Sequence, residues 1–227
     1  IYPYTFWQTT LTVLFPDRNY KDLEAARYAL SHVVPADGIR FIVYRPNPAY
    51  VGKTLADVAK MRGEAPEVAL INLIVDSPTP EDFELTTMAG MSQQDVDTLI
   101  QWPHANICSD GHLIDGHPRG AGAFTKVLRY YVREQKILSL ESAIHKMSGL
   151  AATHMGVRER GFIKPGYFAD LVLFDPDTVA DRATADDPHA LSVGIAKVWV
   201  NGAVVFDNGA ATGARPGRFL HGHEQGK

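Results

Sequence analysis

The chain has 227 residues, 45% of them apolar, and a formal net charge of −4. That is enough to bury a substantial core, in one large domain or one domain and a half. The absence of any basic stretch leaves nucleic-acid binding without a footing, and no apolar run approaches the length of a membrane span. The single cysteine, Cys108, excludes an intrachain disulfide and a cysteine-rich zinc module, and suits a reducing, cytoplasmic setting.

The chain opens Ile1-Tyr2-Pro3-Tyr4-Thr5-Phe6-Trp7, inside what reads as a buried strand, with no initiator methionine and no signal peptide. The natural protein is therefore expected to begin well upstream. Leu11 to Phe15 is apolar, reads as a strand and stops at Pro16. Asp22 to Val33 has helical spacing, with Leu23, Ala26 and Leu30 on one face. Ile39 to Tyr44 alternates and is β-branched, as a strand is. Thr54 is the expected N-cap of a helix that ends near Gly63, and Pro66 suits the first turn of another that runs to Val75.

Phe83 to Met88 reads as a strand, Ser92 to Gln101 as a helix, and Asn106 to Ser109 as a short strand. Helices follow over Phe124 to Glu134 and from Ser139 to Gly149. Alternation of this kind marks a layered α/β fold, parallel if the strands are neighbours. After about Gly161 the pattern becomes mostly β: a dense apolar strand from Ala169 to Asp175, then Ile195 to Asn201 and Ala203 to Asp207, joined at Asn201-Gly202. Asn-Gly between two such runs is a strong hairpin signal.

The most informative stretch is Ala105-Asn106-Ile107-Cys108-Ser109-Asp110-Gly111, followed by His117-Pro118-Arg119. An apolar run that ends in a carboxylate and a glycine is how a barrel strand delivers a catalytic acid to the rim where chemistry happens. Asp before Gly also commonly caps a turn. Cys108, two residues before Asp110, points to the same side of a strand and fits a small core residue. His112 lies in the loop after Asp110, within possible reach of a ligand or in solvent. His145 reads as an ordinary helix residue. The His221-x-His223 pair sits in a polar tail. Tyr2, Tyr4 and Trp7 are candidates to line a pocket or to pack a core.

Several motifs together resemble one family. The run Ile163-Lys164-Pro165-Gly166-Tyr167-Phe168-Ala169-Asp170-Leu171-Val172, with Val198-Trp199-Val200-Asn201-Gly202, is similar to the return from barrel to β-sandwich in the amidohydrolase superfamily. Within it, Ser109-Asp110-Gly111, His117-Pro118-Arg119, Tyr131-Val132-Arg133-Glu134, Val51-Gly52-Lys53-Thr54-Leu55, Asp181-Arg182-Ala183-Thr184 and Thr212-Gly213-Ala214-Arg215-Pro216-Gly217 resemble the N-acyl-D-amino-acid deacylases. The resemblance covers nearly the whole chain and implies an α/β fold. Residues 1–160 would be the C-terminal part of a (β/α)8 TIM-like barrel. Residues 161–227 would be strands of a small composite β-sandwich and a tail.

The resemblance also implies a chemistry: zinc-dependent hydrolysis of the amide of N-acyl-D-amino acids. No metal ligand falls on this chain; the zinc ligands are expected upstream, in the N-terminal part of the same enzyme, so the isolated chain should be inactive. Asp110 matches the catalytic carboxylate. Arg119 matches the arginine that holds the substrate's free carboxylate, for which a planar guanidinium fork is suited. His117 joins Arg119 as a substrate-binding residue. The implied partner is a small molecule with a free carboxylate, not a nucleic acid or a membrane. Rival readings are an amidohydrolase acting on a cyclic amide or another N-acyl compound, and a non-catalytic homologue that binds or scaffolds.

Overall fold

The computed structural model describes residues 1–77, 83–112 and 116–220, so the expectation for His221 and His223 lies outside the described residues. Two compact units emerge: residues 4–95, and residues 1–3 with those from 96 onward.

In the first unit, β1 (Phe6–Thr9), β2 (Ile39–Tyr44) and β3 (Glu84–Ala89) form one sheet with β3 in the centre, antiparallel to both neighbours. Helices α1 (Leu23–His32), α2 (Leu55–Arg62) and α3 (Pro66–Val75) contribute to the same core. Their ends are set locally. The Asp22 side chain accepts the Ala25 N–H at 3.0 Å. Thr54 and Asp57 cap each other reciprocally, and Gly63 closes α2 at φ 68°, a conformation that costs glycine little. Leu11, Phe41, Leu55, Leu70, Leu73 and Met88 are fully buried together.

Two expectations need correction here. Leu11–Leu14 is a 3-10 helix, not a strand. Leu11 and Leu14 are buried while Val13 is 53% exposed, the three-residue repeat of such a turn. The strand at Ile39 is present but lies in an antiparallel sheet, not a parallel one. A strand buried on both faces, as parallel sheets require, reads as a continuous apolar run; Glu84-Leu85-Thr86-Thr87-Met88-Ala89 does not.

Glu84 is the unusual member of this core. It is 6% exposed, and its Oε1 accepts the Leu11 N–H at 2.6 Å, tying the 3-10 turn to β3. Its Oε2 is buried without a hydrogen-bond partner among the described residues.

In the second unit, α4 (Gln93–Gln101) supplies Val96 and Ile100 to a core shared with Ile107, Val127, Tyr131, Leu138 and Ala143. Helix α5 (Arg119–Lys126) begins five residues before the expected Phe124 and runs into a π-helical segment, Val127–Glu134. Then come α6 (Leu140–Met147), capped by Ser139, and α7 (Gly149–His154). A four-stranded antiparallel meander follows: β4 (Leu171–Phe174), β5 (Ile195–Val200), β6 (Ala203–Asp207) and β7 (Ala210–Ala211). Asn201 and Gly202 have φ of 48° and 82°, the left-handed pair that a tight hairpin needs.

The motif residues of this unit bind one another. Arg129 grips both oxygens of Asp181, at 2.6 and 3.2 Å, and Arg133 donates to the carbonyls of Pro176 and Val179, both at 2.9 Å. The Asn201 N–H donates to Asp170 at 2.8 Å, and its side-chain amide to the Pro216 carbonyl at 2.7 Å. Arg160 pairs with Asp170 and lies over the Phe168 ring. These contacts give the motifs structural work.

Burial pushes the Glu84 carboxyl up to about 7, opposed only in part by the Leu11 N–H. The folded chain thus holds this proton more tightly than the unfolded chain. The stabilisation is complete below the ordinary carboxylate value of 4.5 and is lost as pH rises through about 7. It is on the order of 3 kcal/mol. Resistance to urea should therefore fall from about pH 5 to about pH 8, and Glu84→Gln, which titrates nowhere in that range, should flatten the difference. An unchanged slope in the variant would move its origin elsewhere.

Candidate functional site

The segment that carries Asp110 is fixed from two sides. Lys146, at the end of α6, is 2% exposed. Its ammonium donates to the carbonyls of Trp102 and Ala105, and its own carbonyl accepts the Ile107 N–H at 3.2 Å. Burial lowers the lysine's pKa, and the two carbonyls repay part of the lost hydration. On the other side, the Ile1 amino group donates to the Asn106 carbonyl at 2.8 Å, and the Cys108 N–H donates to the Ile1 carbonyl at 2.9 Å. Two bonds from one residue to positions flanking a third are the pattern of neighbouring parallel strands. The expected strand at Asn106–Ser109 is thus not a regular strand, yet it keeps one parallel bridge's worth of pairing.

The chain then turns sharply. Asp110 has φ of 51°, in the left-handed region that Asp tolerates better than most residues. Gly111 follows, and a Cβ there would lie 2.6 Å from the backbone of Gly120. A Cβ on Gly120 would lie 2.4 Å from the His112 carbonyl oxygen. Two glycines therefore let the Asp110 turn rest directly on the first turn of α5, where Arg119 stands.

This contact brings the predicted residues together. Asp110 Oδ2 is 2.8 Å from Arg119 Nη1; the aspartate side chain is 59% exposed and the arginine side chain 8%. The Arg119 guanidinium lies over the Tyr2 ring, 5.1 Å from its centroid. Its Nε is buried without a hydrogen-bond partner among the described residues. Burial raises the Tyr2 phenol's pKa, while the charge of Arg119 and its hydrogen bond to Tyr2 pull the other way. His117 is 1% exposed, and its Nδ1 accepts the Arg119 backbone N–H at 3.0 Å, which leaves the proton of a neutral ring on Nε2. Tyr2 also meets His117 edge-on, at 6.1 Å between centroids.

Other candidates lie elsewhere. Tyr4 is buried, and Trp7 packs on the core of the 4–95 unit. Cys108 is exposed, contrary to the core role expected of it. His145 is an exposed helix residue whose ring lies tilted 6.2 Å from that of Phe162. His112 contributes its carbonyl to the close contact with Gly120. The residue-level reading missed Lys146 and Gly120, and took Gly111 only as the end of a strand. For the glycines a signal is present: Asp110 and Arg119 are each followed directly by glycine, as a close backbone approach requires. Among the described residues, no three His, Cys, Asp or Glu side chains converge to hold a metal ion. No described helix is long and apolar enough to cross a membrane.

The glycine contact gives a direct test. Gly120→Ala forces a methyl against a backbone carbonyl that cannot swing away and should cost about 1–3 kcal/mol in urea unfolding. Gly217→Ala, where nothing lies within 4 Å, should cost much less. Equal effects at the two positions would mean that the turn yields without strain.

The chain is similar to known proteins. The amidohydrolase family profile matches residues 40–206. An N-acyl-D-aspartate deacylase of Alcaligenes xylosoxydans xylosoxydans is 46% identical over 176 residues, covering 76% of this chain and 34% of that protein. An N-acyl-D-glutamate deacylase of the same organism is 36% identical over 222 residues, covering 97% of this chain and 40% of its own length. Among solved structures, the N-acyl-D-glutamate deacylase of Bordetella bronchiseptica, determined with zinc and a phosphonate mimic of the tetrahedral intermediate, superposes with a TM-score of 0.77 at 40% identity, over 97% of this chain and 41% of that one. A D-aminoacylase superposes with a TM-score of 0.78 at 33% identity, over 94% of this chain and 40% of that one. The chain thus spans well under half the length of the relatives it matches. The turn that sets Asp110 on Arg119 belongs to a member of the amidohydrolase family, similar along most of its length to N-acyl-D-amino-acid deacylases.

Proposed function

We propose that the longer polypeptide carrying this chain hydrolyses the amide bond of N-acyl-D-amino acids, releasing a carboxylate and a D-amino acid, with zinc held by residues outside this chain. The observation that carries the reading is the pair formed by an exposed carboxylate, Asp110, and a buried guanidinium, Arg119, 2.8 Å apart. Hydrolysis needs a group that takes a proton from the attacking water as the C–O bond forms and gives it to the nitrogen as the C–N bond breaks. One carboxylate beside the amide does both. Arg119 holds the substrate's α-carboxylate, and His117 completes that subsite by fixing the arginine's backbone. Anchoring the carboxylate on one side and the amide on the other leaves one hand of the α-carbon suited to reaction.

In this reading residues 1–160 form the C-terminal part of the barrel, and residues 161–227 form β-sandwich strands and the tail. The parallel pairing of Ile1 with Asn106 and Cys108, and the separate four-stranded sheet that begins at β4, support the division. Val172 and Leu173 on β4 are 55% and 54% exposed, consistent with cover supplied by the rest of the polypeptide. The isolated chain is expected to be inactive. The substrate is a small molecule, and the setting is the cytoplasm, where free Cys108 stays reduced.

In the full-length enzyme, Asp110→Asn should leave folding and zinc content nearly intact, since Asn also tolerates the left-handed turn. Turnover should fall by on the order of 10²–10⁴. Arg119→Lys keeps the charge but loses the fork, and should raise KM for N-acyl-D-amino acids far more than for an N-acyl amine. Steady-state kinetics with metal analysis checks both. Near-wild-type turnover in Asp110→Asn would remove it as the proton carrier, and equal losses on both substrates would make Arg119 structural.

A further inference from the structure

We infer that Asp110 occupies the anion seat of Arg119 until a substrate carboxylate displaces it, so that the carboxylate acts as the trigger that frees the catalytic group. This rests on the roles proposed above for Asp110 and Arg119.

The argument begins with the surroundings of the guanidinium. Arg119 is almost wholly enclosed: the Tyr2 ring lies against its face, its Nε is buried, and its backbone N–H is taken by His117. Nη1 is committed to Asp110 Oδ2, and that aspartate is the exposed partner of the two. A carboxylate arriving from solvent therefore meets the guanidinium where Asp110 sits. The pairing is imposed by the fold, because Gly111 against Gly120 clamps the Asp110 turn onto the start of α5.

The two proposed jobs then compete. While Oδ2 is engaged with Arg119, it does not take the proton of an attacking water. When the substrate's carboxylate takes over the guanidinium, like charge also pushes Asp110 away from its old position. A planar guanidinium held by bidentate bonds to an incoming carboxylate favours the exchange over a single-oxygen contact with a half-exposed side chain. An amide without a carboxylate would be a poor substrate for two reasons: it loses an anchor, and it leaves Asp110 tied down. The second reason is a defect in kcat, beyond the KM defect that a simple binding role gives.

The experiment uses the full-length enzyme and an N-acetyl amine, the decarboxylated counterpart of an N-acetyl-D-amino acid. Turnover is measured with sodium formate and with sodium chloride at equal ionic strength. Formate, small enough to fill the vacated seat, should raise kcat saturably by on the order of tenfold, part of the 10²-fold or more that a positioned acid-base group contributes. Arg119→Gln should give the raised rate on the amine without formate and no response to it, while losing activity on the N-acetyl-D-amino acid. Arg119→Lys, which keeps a cation for Asp110, should still respond to formate. A wild type indifferent to formate, including one with no detectable amine turnover in either salt, overturns the inference. If Asp110→Asn abolishes turnover while formate has no effect, only this inference falls. If Asp110→Asn remains active, the underlying assignment falls with it.

Discussion

The site depends on a backbone contact between two glycines. A Cβ at Gly111 would strike the Gly120 backbone, and one at Gly120 would strike the His112 carbonyl. Everything chemical in the site is downstream of that approach. It sets Asp110 in a left-handed turn and places it over Arg119. Tyr2 and His117 then hold the arginine from its face and from its backbone. Farther back, Lys146 supports the approach by holding the Trp102 and Ala105 carbonyls with a buried ammonium. A charge is an expensive strut, but it can satisfy two carbonyls that an apolar side chain would leave bare.

Local chemistry was legible in the sequence, and long-range chemistry much less so. Thr54 was readable as a helix cap, and Asp22 and Ser139 as helix starts, because the cap bond spans three residues and needs no distant partner. Asn201-Gly202 was readable because both left-handed positions sit in one dipeptide. The antiparallel order of β1, β3 and β2 was not, since it joins Phe6 to Ala89 and Ile39 to Met88 across most of a unit. Leu11 was misread because a short apolar run carries no period until one sees that Val13 faces outward. At the site, Asp110, His117 and Arg119 were found by motif and resemblance, and they do meet. What makes them meet is not legible there: Gly111 reads as a strand end, and its contact with Gly120 and the support from Lys146 join residues that no local pattern links.

The family motifs divide by the work they do. Ser109-Asp110-Gly111 and His117-Pro118-Arg119 build the candidate site. Tyr131-Val132-Arg133-Glu134 and Asp181-Arg182-Ala183-Thr184 instead hold each other's neighbourhood, through Arg133 on the Pro176 and Val179 carbonyls and Arg129 on Asp181. Ala169-Asp170, Asn201-Gly202 and Pro216 form a third knot. A motif match therefore reports on architecture as often as on catalysis, and geometry is needed to tell the two apart.

The π-helical segment Val127–Glu134 has an implication for how this region can change over time. A π turn carries more residues than the α turn it replaces, so it behaves as a tolerated insertion inside a helix. Because the wider turn absorbs the surplus residue, losing one residue there would restore α geometry and leave the chain beyond it, with Leu138 in its core, close to its present orientation. In an ordinary α-helix the same loss would rotate everything that follows by roughly 100°. Lineages of this fold should therefore be able to differ by one residue between Val127 and Glu134, and to keep the residue count of α5 and α6 constant.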